Sequence, residues 1–483
     1  MRDRFQTIQK SERIGWFYIL IVLLVTLHYL FLYPERYLIW SGYEPIFNAL
    51  RMLHVLLIVL LLLLCLLKLR RGMPPEFWLL FAYFVWVLIT RVVNHDYTLF
   101  GDLYFSAVCV GVFAAGIYLS PHQRRRLLDL FCAITGTYLF ILSVLGLLVW
   151  FGGKDAFPHI AAYVSNRPFL KAKDIIFFNT THNMSAAWFM VSFFLSAYEW
   201  AACEKRFWRI PIALHMSMML IMISLLHCRS IQVASSVGVG MLAVLAVMPH
   251  IERKSLPLKI SAILVTALLG MLICFEAINL CGEVFTKGLK ITQSEWDTYY
   301  TEQAEKTKNL PEEQKADYPL ETAANPSGAD ARDFLHDALT LTERTLIWDA
   351  AFRLMKSDSH IALFGQPEEN MMDAVNALGN YREVKQHTHN IFVQAMVLTG
   401  IPGALMLLAF ACLQVIRMVR AYFDKTGKVQ REDKVLLILP AALLVYGMAE
   451  VLLNRLVGFA SLSFLLAGGI FTEFEREAFR NEK

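Results

Sequence analysis

His389 and Asn390 stand at a seam. The residues before them, "REVKQHT", are polar and charged, and from Ile391 the chain turns apolar for a long run. A helix starting here would present unpaired backbone N–H groups and a partial positive charge. That field disfavours an imidazolium, and a neutral imidazole can accept a proton, so His389 is a candidate general base. Asn390 could cap the helix or bind a sugar hydroxyl, and the helix start could help hold a phosphate. The plainer reading is that the pair marks a membrane boundary. His387 is the one rival base. It should point elsewhere if the helix extends back that far. Gly400 and Gly403 share a helix face and would permit close helix contact, while Pro402 between them loosens the hydrogen-bond ladder.

Two arginines could serve an anion. Arg229 lies in "LLHCRSIQVASS", a very short turn between two apolar runs. Snorkelling to water is the common fate of such a residue, but this turn is too short to carry it far from the bilayer. Arg344 precedes Ile347, Ala351 and Leu354, which recur at helical spacing, and falls on their apolar face. Two guanidinium groups facing one cavity would suit a diphosphate, because each binds phosphate oxygens through paired hydrogen bonds. Arg51, His54, Arg91, Glu276, Glu450 and Arg455 also fall near the ends of apolar runs, where anchoring or ion pairing is the simpler expectation.

The elements that must position these groups are membrane helices. Of 483 residues, 57% are apolar and 18% charged, and mean hydropathy is +0.47. Soluble proteins average nearer a quarter charged. Apolar runs of about 18 residues or more, each able to cross a bilayer core of about 30 Å, recur along the chain. The expected fold is an all-α polytopic bundle of about twelve spans: 14–33, 50–67, 76–93, 99–119, 127–151, 183–202, 209–227, 230–248, 258–281, 390–416, 435–454 and 457–474. The first run lacks a cleavage site and reads as a retained helix. The eight cysteines are scattered, with no CxxC and no Cys/His cluster at metal spacing.

With twelve spans, the basic segments "KLRRG", "HQRRR", "EKRFWR", "HIERKS" and "RMVRAYFDKTGKVQREDK" all fall on one side with both termini, and the positive-inside rule makes that side cytoplasmic. The expected organisation is spans one to nine in 1–281, a large extracytoplasmic loop in 282–388, and the last three spans with a cytoplasmic tail in 389–483. Within the loop, 300–333 is polar and carries Pro311, Pro319 and Pro326, which suggests a solvated insertion. An amphipathic helix is expected near 335–357. No Walker loop, zinc spacing, GxSxG or Rossmann fingerprint is present. The 417–434 connection is too short for a nucleotide-binding domain, so energy must come from an activated substrate or an ion gradient.

Taken together, "HNIFVQAMVLTGIPG", which is His-Asn, nine residues and Gly-x-x-Gly, resembles the signature of the bacterial O-antigen ligase and polymerase family. "ERTLIWDAAFRLMKSDSHIALFGQP" is similar to that family's Arg-x-x-x-Trp segment, "HCRS" to its arginine turn, and "FFNTTHNMSAAW" to the asparagine-bearing start of an earlier span. The turn departs from the family's frequent Ser-Arg-Gly, the loop carries the added insertion, and His387 is extra.

The resemblance implies a GT-C-like membrane glycosyltransferase of the bacterial inner membrane. It would move a glycan from a polyprenyl diphosphate to an acceptor hydroxyl, without metal, nucleotide or other cofactor. It implies that His389 activates the acceptor and that Arg229 and Arg344 hold the diphosphate, with Asn390, His387 and Asn183 in support. The expected partners are the lipid-linked donor, a glycan, glycolipid or protein acceptor, and the bilayer; no nucleic acid is expected. Ligase chemistry is the first expectation, with polymerase and protein glycosylation as alternatives. From another class, a secondary transporter or lipid-glycan flippase would also have twelve spans, but with repeated halves and charges at the midplane.

Overall fold

The computed structural model describes residues 16–28, 30, 44–68, 72–96, 98–156, 182–226, 228–251, 254–287, 344–379, 387–424, 429–453 and 458–479. The insertion 300–333, the first part of the expected amphipathic helix and Arg455 lie outside the described residues. Among the described residues all regular structure is helical. In the first half lie α1 (Trp16–His28), α2 (Glu44–Lys68), α3 (Pro75–Val93), α4 (Leu99–Tyr118) and α5 (Pro121–Ala156). Next come α6 (His182–Ala202), α7 (Arg206–Leu225), α8 (Arg229–Ile251) and α9 (Leu256–Lys287). Then come the short helices α10 (Arg344–Ser357), α11 (Ser359–Phe364) and α12 (Met371–Leu378), followed by α13 (Ile391–Tyr422), α14 (Arg431–Leu436), α15 (Ile438–Ala449) and α16 (Gly458–Phe479).

Each expected span overlaps a helix among the described residues. Eight of the helices (α2, α3, α4, α5, α7, α8, α9 and α13) are long and apolar enough to cross a membrane, while α1 and the Gly458–Glu473 part of α16 are shorter apolar helices. Burial separates centre from periphery. α6 is buried from Met184 to Tyr198, serines included, whereas α9 leaves Leu264, Leu268, Leu272 and Ile273 exposed. An apolar helix that keeps so little of itself inside faces lipid. Since lipid is as apolar as leucine, close packing rather than water exclusion holds such helices together. Gly116 of α4 accordingly lies against the backbone of Leu466 and Ile470 of α16. At the opposite end of the bundle from His389, Glu76 of α3 accepts from Arg417 of α13.

The eleventh span is shorter than expected. α15 ends at Ala449, Glu450 is extended (φ −149°, ψ 176°), and 450–453 are not helical. The tenth is also altered. α13 is interrupted at Gly400, whose φ of 71° and ψ of 179° lie outside what a side-chain-bearing residue readily adopts. Gly400 makes a close contact, with α11 rather than with another long helix. Gly400 lies against the carbonyl of Leu363, and Gly365 (φ 74°) lies against Leu398 and Thr399. The interruption and Pro402 free backbone carbonyls that a membrane interior cannot hydrate. Neighbours supply the donors: Gln366 N–H donates to Val397 O at 2.8 Å, and Trp86 Nε1 donates to Thr399 O at 2.8 Å. Phe364 stacks on Trp86, and Asn94 Nδ2 donates to Phe364 O at 3.2 Å.

Gly400→Ala should therefore lower thermal stability in detergent. This positive-φ, extended-ψ backbone is one that essentially only glycine adopts and costs another residue about 1–3 kcal/mol, and the new methyl meets backbone that cannot withdraw. A melting temperature equal to that of the parent chain would show that the α11 turn does not depend on this contact.

Candidate active site

The segment before α13 packs on the first turns of that helix. Ile347, Ala350, Ala351 and Leu354 of α10 join Met371, Met372 and Val375 of α12 and Val393, Met396 and Val397 of α13 in one apolar cluster. The expected periodicity of α10 thus holds, and it carries Arg344, the first residue of α10, toward the start of α13.

That start is built in detail. Asn390 is the cap: its Oδ1 accepts from Phe392 N–H at 2.9 Å and Val393 N–H at 3.1 Å, and its Nδ2 donates to Met448 O at 3.0 Å. The side chain thus caps α13 and joins it to α15, as the capping reading expects. His389 lies outside the helix, one residue before the cap, with φ 53°. Thr388 is fully buried and pinned. Its hydroxyl donates to Gln394 Oε1 at 3.0 Å, and its carbonyl accepts from Trp348 Nε1 at 2.9 Å.

The helix does not extend back to His387, so the condition under which His387 was expected to point elsewhere is not met. The positive φ at His389 folds the backbone so that the two rings lie together, with centroids 3.9 Å apart and planes at 53°. Burial, together with the neighbouring His389 ring and the Arg344 charge, pushes the His387 imidazole down to about 4, so it stays neutral at ordinary pH. Its Nδ1 is buried without a hydrogen-bond partner among the described residues.

Glu450 is the centre of the group; its position in the sequence suggested anchoring or ion pairing, and it pairs with Arg344. Its carboxylate is nearly buried, with 5% of the side chain exposed. It accepts from Asn183 Nδ2 at 2.9 Å, lies 3.4 Å from Arg344 Nη2, and faces His389 Nδ1 at 3.4 Å. A carboxylate beside Nδ1 favours the proton there and leaves the Nε2 lone pair free to accept one. The available signal was an acid closing an apolar helix; what the sequence could not show was that α15 ends beside α13.

Arg229 opens α8 and is exposed. α8 packs along α15, and its preceding residue Cys228 lies within the electrostatic reach of Glu450 and Arg344. Asn183, Arg344, His387 and His389 are thus gathered on Glu450, with Arg229 at the edge of the same end of the bundle. Gly400 and Gly403 lie one segment deeper and shape α13, with Gly403 packed on Thr399 and Trp86.

His387, His389 and Glu450 each bring one ligand-type atom within 4.8 Å of the others. Two imidazoles and a carboxylate are a donor set that metals use. Here Arg344 already shares the carboxylate, and a guanidinium at that oxygen opposes a dication and favours an anionic guest.

Residues 214–408 match the family model described as O-antigen ligase. The match bears out the family resemblance, places this stretch in that family, and spans Arg229, Arg344, His389, Gly400 and Gly403; Asn183 and Glu450 fall outside it. No curated protein matches the chain.

Proposed function

We propose that this membrane glycosyltransferase of the O-antigen ligase and polymerase type transfers a glycan from a polyprenyl diphosphate to an acceptor hydroxyl, with ligase chemistry the first reading. The observation that carries the proposal is the gathering of a proton acceptor, its carboxylate partner and a guanidinium at one end of the bundle. His389 Nε2 takes the acceptor's hydroxyl proton while the acceptor oxygen bonds to the anomeric carbon. The bond from that carbon to the diphosphate oxygen breaks, and its electron pair leaves with the polyprenyl diphosphate. Arg344 and Arg229 balance the charge gathering on that leaving group. Glu450 holds His389 through Nδ1 and stabilises the imidazolium that forms. A lipid diphosphate is already a good leaving group, so a positioned nucleophile and compensation of charge are sufficient.

The placement suits the substrates. His389, Asn183, Arg229 and Glu450 all stand at helix ends, opposite the ends that carry the basic connections, which agrees with an outward-facing site and cytoplasmic termini. The donor's tail can stay in lipid while its diphosphate reaches Arg344. Glycan profiling of a strain lacking the chain tests this. Unattached glycan accumulating on its lipid carrier is the ligase outcome. Attached single repeats would replace that reading by polymerase, and an unchanged profile would end both.

The insertion 300–333 is proposed to be dispensable for the chemical step. With 300–333 replaced by a short Gly/Ser linker, transfer should stay within about threefold of the parent, because this polar stretch with Pro311, Pro319 and Pro326 lacks a periodic apolar face. Complete loss of transfer at normal membrane levels would instead make the insertion a substrate-binding element.

A further inference from the structure

Arg344 has two claims on it. In the structure its guanidinium rests on Glu450; in the proposed reaction it receives the donor's diphosphate. The resting contact is loose. It spans 3.4 Å, and 19% of the Arg344 side chain is exposed against 5% of Glu450. Asn183 holds the same carboxylate oxygen at 2.9 Å, so Glu450 would keep its place if Arg344 left. His389 Nδ1, also at 3.4 Å, shares the carboxylate with that guanidinium.

We infer that the Arg344–Glu450 contact is a latch opened by the donor: the diphosphate draws Arg344 away, and Glu450 then serves His389 alone. The inference rests on the transfer reading above. A dianionic diphosphate offers the planar guanidinium paired acceptors that a single carboxylate oxygen, already taken by Asn183, does not. Once Arg344 turns to the donor, Asn183 still holds Glu450 Oε1 but no cation at the carboxylate competes with the imidazolium that forms as the acceptor's proton arrives. Donor binding and base activation become one event, which favours donor-first order. Asn183 and Glu450 are positioning residues in this scheme, since they act on the chemistry through His389 and Arg344.

The test separates donor affinity from rate, using the full-length protein in detergent and a short-chain polyprenyl diphosphate as the binding probe. Glu450→Gln removes the charge that competes for Arg344. It should tighten probe binding by about two- to fivefold, the scale of a loose, part-exposed ion pair, while the transfer rate constant falls about tenfold or more. Glu450→Asp, the smaller disturbance, draws the carboxylate back by one methylene and should change both quantities in the same directions, less far. A purely structural role would weaken binding and rate together. Probe binding by the parent chain that Arg344→Ala diminishes, with no tightening in Glu450→Gln or Glu450→Asp, would overturn the latch and leave the transfer reading standing. No probe binding by the parent chain would remove the transfer reading and the latch with it.

Discussion

Replacing His389 by alanine should lower glycan transfer by about a hundredfold to ten-thousandfold, the usual loss when one positioned proton acceptor is removed. The geometry explains why little should remain. Asn390 is engaged in capping α13 and tying it to Met448, and Glu450 lies nearly buried behind the ring. His387 is the one neighbour with a comparable group. Burial keeps it neutral, and its ring lies 3.9 Å from that of His389, so a residual rate in His389→Ala is expected to depend on it. The double substitution with His387→Ala should remove that remainder. His387→Ala alone should retain more transfer than His389→Ala. Near-parent transfer by His389→Ala at equal expression would return His389 to the status of a boundary residue.

Arg344→Ala should lower transfer by about a hundredfold to a thousandfold, as expected when one group that stabilises developing charge is lost. Arg344→Lys keeps the charge but lacks the planar fork, so it should fall between the two. The loss should appear in donor affinity as well as in rate, because in the proposed mechanism the same guanidinium binds the diphosphate before and during departure. Arg229→Ala should also be impaired, and Arg229→Lys less so. Initial rates of transfer against donor concentration, at matched protein levels, give both quantities. A full rate with Arg344→Ala at saturating donor would limit Arg344 to ground-state donor binding and remove it from charge stabilisation.

Much of the architecture was legible because the bilayer imposes a length and a hydropathy on every helix. The twelve apolar stretches overlap helices for that reason, and α10 was readable from the spacing of Ile347, Ala351 and Leu354. What stayed hidden depends on how ends meet. Glu450 is 61 residues from His389, and nothing local in "YGMAEVLL" shows that α15 stops beside the cap of α13. The positive φ of His389, which gathers both histidines, follows from buried Thr388 and the Asn390 cap rather than from any preference of histidine. The interruption at Gly400 was half visible. Glycine and Pro402 announced a weak point, but the carbonyls it frees are satisfied by Trp86 and Gln366, far away in sequence.

The central claim is that this site itself breaks the bond between glycan and diphosphate. The most direct test places the purified chain in vesicles with a lipid-linked glycan donor and an acceptor glycolipid, without nucleotide and with a metal chelator present, and counts released polyprenyl diphosphate against glycan transferred. The account predicts one polyprenyl diphosphate released for each glycan transferred, unaffected by the chelator and lost in His389→Ala. Donor that crosses the bilayer intact, or transfer that stops when the chelator is added, would contradict it.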